Sequence, residues 1–166
     1  MDRLQKFVGI AAWIEALIYI LAFIYFGAYW AYPSEGSASE KMSYLAENQH
    51  SFSMMYFLMY IMFGVFLSVI VVGLFEKLQS TNDPLVKVGS VFGFVWVVLV
   101  IASGMLANIG LVHAVELMDL SVEKAFDMWR VVTVIVESLG GGNEIVGGLW
   151  VLLLSLAALK ATIFPR

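Results

Sequence analysis

Four stretches of this chain are long, apolar and almost free of charge: Phe7 to Trp30, Phe52 to Phe75, Val86 to Val112, and residues 143–163. A helix needs about 20 apolar residues to cross a hydrocarbon core of roughly 30 Å, and each stretch meets that length. Their interruptions are few. Glu15 lies inside the first, Lys87 at the edge of the third, and Glu144 and Lys160 near the two ends of the fourth. Open strands in lipid would leave backbone N–H and C=O groups without partners, so the stretches read as helices. The expected fold is an all-α integral membrane protein, a four-transmembrane-helix bundle forming a single domain over residues 1–166. No internal repeat or low-complexity segment divides it.

Composition closes the alternatives. Hydrophobic residues make up 61% of the chain and charged residues 13%, whereas a soluble domain is nearer half apolar and a quarter charged. Disorder is excluded by the same balance. With 0 cysteines, disulfides, thiol catalysis, iron–sulfur clusters and cysteine-zinc sites drop out. A formal charge of −4 offers no basic surface for nucleic acid. The first stretch reads as a retained span, because it is long for a signal peptide, carries Glu15 and lacks a small-residue cleavage pattern.

Orientation follows the basic residues. Arg3, Lys6, Lys77, Lys87, Lys160 and Arg166 fall on one side of the four spans, and Lys41, Lys124 and Arg130 on the other. Both termini are therefore expected in the cytoplasm. Tyr29, Trp30 and Tyr32 stand where an outer aromatic belt belongs.

The first outer loop, Pro33 to Ser51, opens on small residues and then supports a short polar helix over Glu40 to Asn48. The inner loop is a tight turn around Ser80 to Pro84. The second outer loop is more informative. Ser121 is a good N-cap for a helix over about 121–138. Val122, Ala125, Phe126, Trp129, Val132 and Val136 share one face, opposite Glu123, Lys124, Asp127 and Arg130. An amphipathic helix of this kind is expected to lie at the outer interface or cap the bundle. The sharper alternative is a half-helix re-entering the membrane and broken at Gly140-Gly141-Gly142.

Membrane helices associate through small residues that let backbones approach. The expected seams are Ala11, Ala12, Glu15, Tyr19 and Ala22 in the first span, and Ser53, Tyr60, Gly64 and Ser68 in the second. The third offers Gly89, Gly93, Gly104, Ala107 and Asn108. The fourth offers Glu144, Gly147, Gly148, Val151, Ser155, Ala158 and Thr162. Large apolar residues should meet lipid.

Glu15 stands out as a candidate for chemistry. A carboxylate inside the hydrocarbon must be paired, hydrogen-bonded, hydrated or protonated, and Tyr19, one turn on, is placed to donate to it. Asn108, Asn143 and Glu144 extend the set of intramembrane polar or ion candidates. Asn143 and Glu144 also have a structural reading as helix cap and first-turn acid. His50, His113 and Glu116 form a second set on the outer side. His113 and Glu116 are one helical turn apart, a usable spacing for a metal or a proton relay. Met54, Met55, Met59 and Met62 read as flexible packing rather than copper ligands.

The run Gly142-Asn143-Glu144-Ile145-Val146-Gly147-Gly148-Leu149-Trp150, followed by Phe164-Pro165-Arg166, resembles an uncharacterised family of bacterial multi-pass membrane proteins, a domain of unknown function. The resemblance implies a helical bundle in the bacterial cytoplasmic membrane and implies no activity. Members of that family continue past Phe-Pro-Arg with further spans, so the chain looks like a shorter or truncated form.

Three functions are open at this level. The first is a non-enzymatic binding or accessory protein whose partners are membrane lipids, a partner membrane protein or its own copies, with no cofactor. The second is proton- or cation-coupled transport through an oligomer using Glu15. The third is a metal- or haem-binding redox subunit using His50 and His113.

Overall fold

A computed structural model describes residues 3–141 and 145–161. Among the described residues all regular structure is helical. Helix α1 spans Arg3–Ile24 and runs on into a π-helical turn, Tyr25–Tyr29. Helices α2 (Ala38–Glu47) and α3 (Gln49–Tyr56) abut at Asn48. A second π-helical stretch, Phe57–Met62, joins α3 to α4 (Phe63–Leu78). Helix α5 is Pro84–Leu117, α6 is Val122–Val136 with a π-helical turn at Glu137–Gly141, and α7 is Ile145–Ala161. Four helical lengths are long and apolar enough to cross a membrane: Arg3–Tyr29, Gln49–Thr81, Pro84–Leu117 and Val122–Ala161, the last including residues 142–144, which are not described.

Local chemistry sets the boundaries. Ser37 and Glu40 form a capping box at α2: the Ser37 N–H donates to Glu40 Oε2 at 2.7 Å, and Ser37 Oγ accepts from the Glu40 N–H at 3.3 Å. This starts the helix two residues ahead of its expected position. The Asp83 side chain accepts the Leu85 N–H at 2.9 Å, and Pro84 supplies the first helical residue of α5, where its missing N–H costs nothing. Ser121 caps α6 as expected, accepting from the Lys124 N–H at 3.3 Å.

Helix α5 is the central post. At 34 residues it is about 50 Å long, well beyond a hydrocarbon core of about 30 Å. Helices α6 and α7 descend antiparallel along its whole length. Gly110 faces Val132, Ser103 Oγ donates to the Val136 carbonyl at 3.3 Å, Gly140 lies over Leu99, and Gly89 meets Leu153 and Leu154. Lys160 and Asp83 close the far end at 3.4 Å. Between them sits a reciprocal lock. A Cβ on Gly147 would come within 2.7 Å of the Trp96 ring, and a Cβ on Gly93 within 2.7 Å of the Trp150 ring. Each helix thus presents a tryptophan to the other's glycine, and the two rings meet at 5.8 Å.

Helix α6 uses its apolar face against protein. Ala125, Trp129, Val132 and Val136 are buried against α5 and α2. An interfacial helix lying flat would give that face to lipid. Here α5 and α2 supply a protein surface for it instead.

The seams hold in part. Gly64, Gly89, Gly93, Gly104 and Ala107 are buried, as are Ala11 and Ala22. Ala12 is exposed, and in α7 Gly148, Val151 and Ser155 are exposed as well. The buried stripe of α7 is Gly147, Trp150, Leu154, Ala157 and Ala158. Gly147 and Ala158 keep their expected place in it, while Trp150, Leu154 and Ala157 replace Gly148, Val151 and Ser155 because the Trp96–Gly147 and Trp150–Gly93 contacts set the rotation. Glu144 and Thr162 lie outside the described residues. Helix α1 is peripheral: it packs on α4 and on the stretch 57–62, and Trp13 is 80% exposed.

Candidate functional site

The structure divides the sequence-derived candidates. Glu15 comes from the middle of α1, whose face is defined by buried Ala11, Ile18 and Ala22. Its Oε1 is buried and has no hydrogen-bond partner among the described residues, so the expected bond from Tyr19 does not reach that oxygen. The Tyr19 ring packs edge-on against Phe63 at 5.4 Å. Asn108 is satisfied locally, its Nδ2 donating to the Gly104 carbonyl at 2.9 Å. Such i to i−4 back-bonding explains a polar side chain inside an apolar helix without a ligand. Asn143 and Glu144 lie outside the described residues.

Near the C-terminal end of α5, His113 Nδ1 meets Glu116 Oε2 at 3.0 Å, and both side chains are largely exposed. His50 is exposed at the start of α3. Among the described residues no three His, Asp or Glu side chains gather as metal-holding donors. The expected His50, His113 and Glu116 set therefore amounts to one solvent-facing pair and a separate histidine.

The structure assembles something else around α2, α3 and α6. Three segments distant in sequence carry aromatic rings to one place. Trp30 stacks on Phe52 at 4.6 Å, Phe52 contacts Tyr56 at 4.4 Å, and Trp129 meets Phe52 edge-on at 5.9 Å. The Ala31 N–H donates to the Tyr44 hydroxyl at 2.9 Å, pinning the chain after α1 to α2. The Tyr25 and Ser51 hydroxyls share a hydrogen bond of 3.0 Å, which pins the π-helical turn to α3.

These rings wall an open groove of about 390 Å³. Its other wall is α6, through Phe126, Trp129 and Thr133, and its rim carries Lys41 and Arg130. Lys41 Nζ stands 5.5 Å from the centre of the Phe126 ring, and the Arg130 guanidinium carbon 5.9 Å from the same centre. One ring therefore positions two cations. Arg130 also has Asp127 at 3.8 Å, an exposed pair of little energetic weight. Among the described residues Lys41 has no carboxylate within salt-bridge distance. Burial in the groove wall pushes the Tyr32 hydroxyl above its ordinary 10.0, keeping it neutral.

Sequence reasoning missed this groove. Lys41 and Arg130 are two of the three basic residues on the acidic side. Arg130 follows Phe126 by one helical turn, and that spacing was the available signal. The partnership with Lys41 exists only because α2 packs against α6. Chemically the groove offers a desolvated aromatic surface and two positive charges at one rim, which suits a ligand that is apolar along its length and anionic at one end. Compared with family models, with curated proteins and with solved structures, the chain matches none of them.

Proposed function

We propose that this protein is a non-enzymatic membrane binding or accessory protein whose ligand is an anionic amphiphile held in the outer aromatic groove. The observation that carries this reading is the convergence of Lys41 and Arg130 on Phe126 at the rim of a groove lined by Trp30, Phe52 and Trp129. Both cations are held over one aromatic face at the edge of an apolar surface, which fixes two positive charges where the anionic head of an amphiphile would sit. The reading places the groove on the outer side of a bacterial cytoplasmic membrane, with both termini in the cytoplasm. A homo-oligomer or a partner membrane protein belongs to the same reading, since α1 turns most of its surface outward.

The test is retention of lipid by the purified protein in phosphatidylcholine nanodiscs supplemented with phosphatidylglycerol. The wild-type chain is expected to enrich the anionic lipid. The combined Lys41→Gln and Arg130→Gln variant should lose about tenfold in that preference, the equivalent of about 1.4 kcal/mol. Equal retention by variant and wild type would overturn the assignment.

A second reading, proton- or cation-coupled transport, is favoured by one observation: the buried, unpartnered Oε1 of Glu15, in a span where such groups mark transport paths. Proteoliposomes carrying Glu15→Gln should then lose proton-linked flux, and unchanged flux removes this reading.

A further inference from the structure

Below the outer groove lies a second, smaller cavity of about 90 Å³. Its walls come from α1 (Ile18, Tyr19), from the π-helical stretch after α3 (Met59, Tyr60) and from α5 (Trp96), with Gly140 closing the α6 side. The two spaces share a wall. Tyr56 lines the groove and Tyr60 lines the cavity, and their rings stack at 5.2 Å. The packing explains why both are open. Helix α1 packs on the second span, and α6 and α7 pack on α5, but α1 makes no extensive contact with α6 or α7. Among the described residues, the groove and the cavity therefore lie on the side where α1 stands apart from α6, one on each side of the stacked Tyr56 and Tyr60 rings.

We infer that the groove and the cavity join into one cleft that holds one acyl tail of an anionic phospholipid from the outer leaflet, with its head at Lys41 and Arg130 and its methyl end in the inner cavity beside Tyr60 and Trp96. The inference rests on the anionic-amphiphile reading of the groove and adds the class of ligand and its path. Depth supports it. From Phe126 to Gly140 is about 20 Å along the α6 side, close to the half-thickness of about 15 Å that one leaflet occupies, plus a head-group. Chemistry supports it too, because the cleft wall between the cations and the cavity offers aromatic faces, the surface an alkyl tail packs against. The π-helical turns at 57–62 and 137–141 flank the inner cavity, and such turns recur where a helix is locally widened for a function. On this inference the tail enters laterally from the bilayer, between α1 and α6.

The experiment uses the full chain in phosphatidylcholine nanodiscs with phosphatidylglycerol carrying a photoreactive diazirine, placed either near the ester or near the methyl end. Cross-links are mapped by mass spectrometry. The ester-proximal probe is expected on Phe126, Trp129 or Thr133, and the methyl-end probe on Met59, Tyr60 or Tyr19. Labelling of Met59 and Tyr60 should exceed that of the outward-facing Val98 and Leu159 about tenfold, matching a preference of about 1.4 kcal/mol. If the methyl-end probe labels Val98 and Leu159 as strongly as the cleft while the ester-proximal probe still labels the groove, the tail path is overturned and the groove assignment stands. If a phosphatidylcholine probe labels the cleft as well as phosphatidylglycerol does, the tail path holds and the anionic head assignment falls. Ala22→Leu fills the inner cavity and should remove methyl-end labelling of Met59 while leaving ester-proximal labelling of Trp129. Retained labelling of Met59 in that variant counts against the path.

Discussion

The two halves of the molecule use similar apolar residues to opposite ends. In the lower bundle, glycines let helices close on each other until tryptophan rings touch backbone, as at Gly93 and Trp150 or Gly147 and Trp96. Around α3 and α6, rings face rings. Trp30, Phe52, Tyr56 and Trp129 hold α1, α3 and α6 apart at ring-to-ring distances of 4.4 to 5.9 Å and leave a groove. The lesson is that an apolar composition does not decide between packing and binding. The size of the residue opposite each ring does. A ring against a glycine makes a closed seam, and a ring against a ring makes a wall.

Substitutions at the seam should break this contrast most sharply. Gly147→Leu drives side-chain atoms into the Trp96 ring and is expected to destabilise the fold by about 2–3 kcal/mol, as overpacking does. Gly148→Leu, with nothing within 4 Å of its Cβ, should stay within about 0.5 kcal/mol of wild type. Thermal unfolding in detergent separates the two, and equal effects would deny the lock. Next in size is Glu15. Its buried Oε1 has no partner, and an orphaned buried acceptor costs about 1–3 kcal/mol. Glu15→Leu should therefore raise the unfolding temperature, whereas a fall would mean that the carboxyl supports the bundle.

A milder change sharpens the groove. Phe126→Leu keeps the apolar wall but removes the ring under Lys41 and Arg130, and cation–π contacts are worth about 0.5–1 kcal/mol at exposed sites. Anionic-lipid retention should drop severalfold with no change in unfolding, and raised salt should diminish the difference. The smallest effect concerns the rim. Glu40 accepts the Ser37 N–H and hydroxyl, which holds its carboxyl below the ordinary 4.5. A lowered folded value means that the cap's contribution is complete above about pH 4.5 and is lost as pH falls through the lowered value. Amide exchange at the start of α2 should quicken below that point, while α7 is unaffected.

Much of the architecture was legible in the residues. The four apolar stretches, the Ser121 cap, the buried face of α6 and the glycines of α5 all follow from length, periodicity and side-chain size. The seam of α7 was misplaced, since a rule that buries small residues cannot foresee that Trp150 is buried because Gly93 stands opposite. Glu15 was legible as an anomaly, but not that its Oε1 finds no partner among the described residues, because that depends on what the neighbouring helices set beside it. The groove was illegible for a different reason. Its cations come from α2 and α6, and nothing local to either names the other.

What the chain determines by itself is therefore its solvent and its secondary structure. Long uncharged stretches oblige the backbone to satisfy its own hydrogen bonds, and helices are the local way to do so. Tertiary structure alone decides which face of each helix turns inward and which stays open. Those outcomes depend on what side chain another helix sets opposite each position, and they place Lys41, Phe126 and Arg130 together at the rim of the groove.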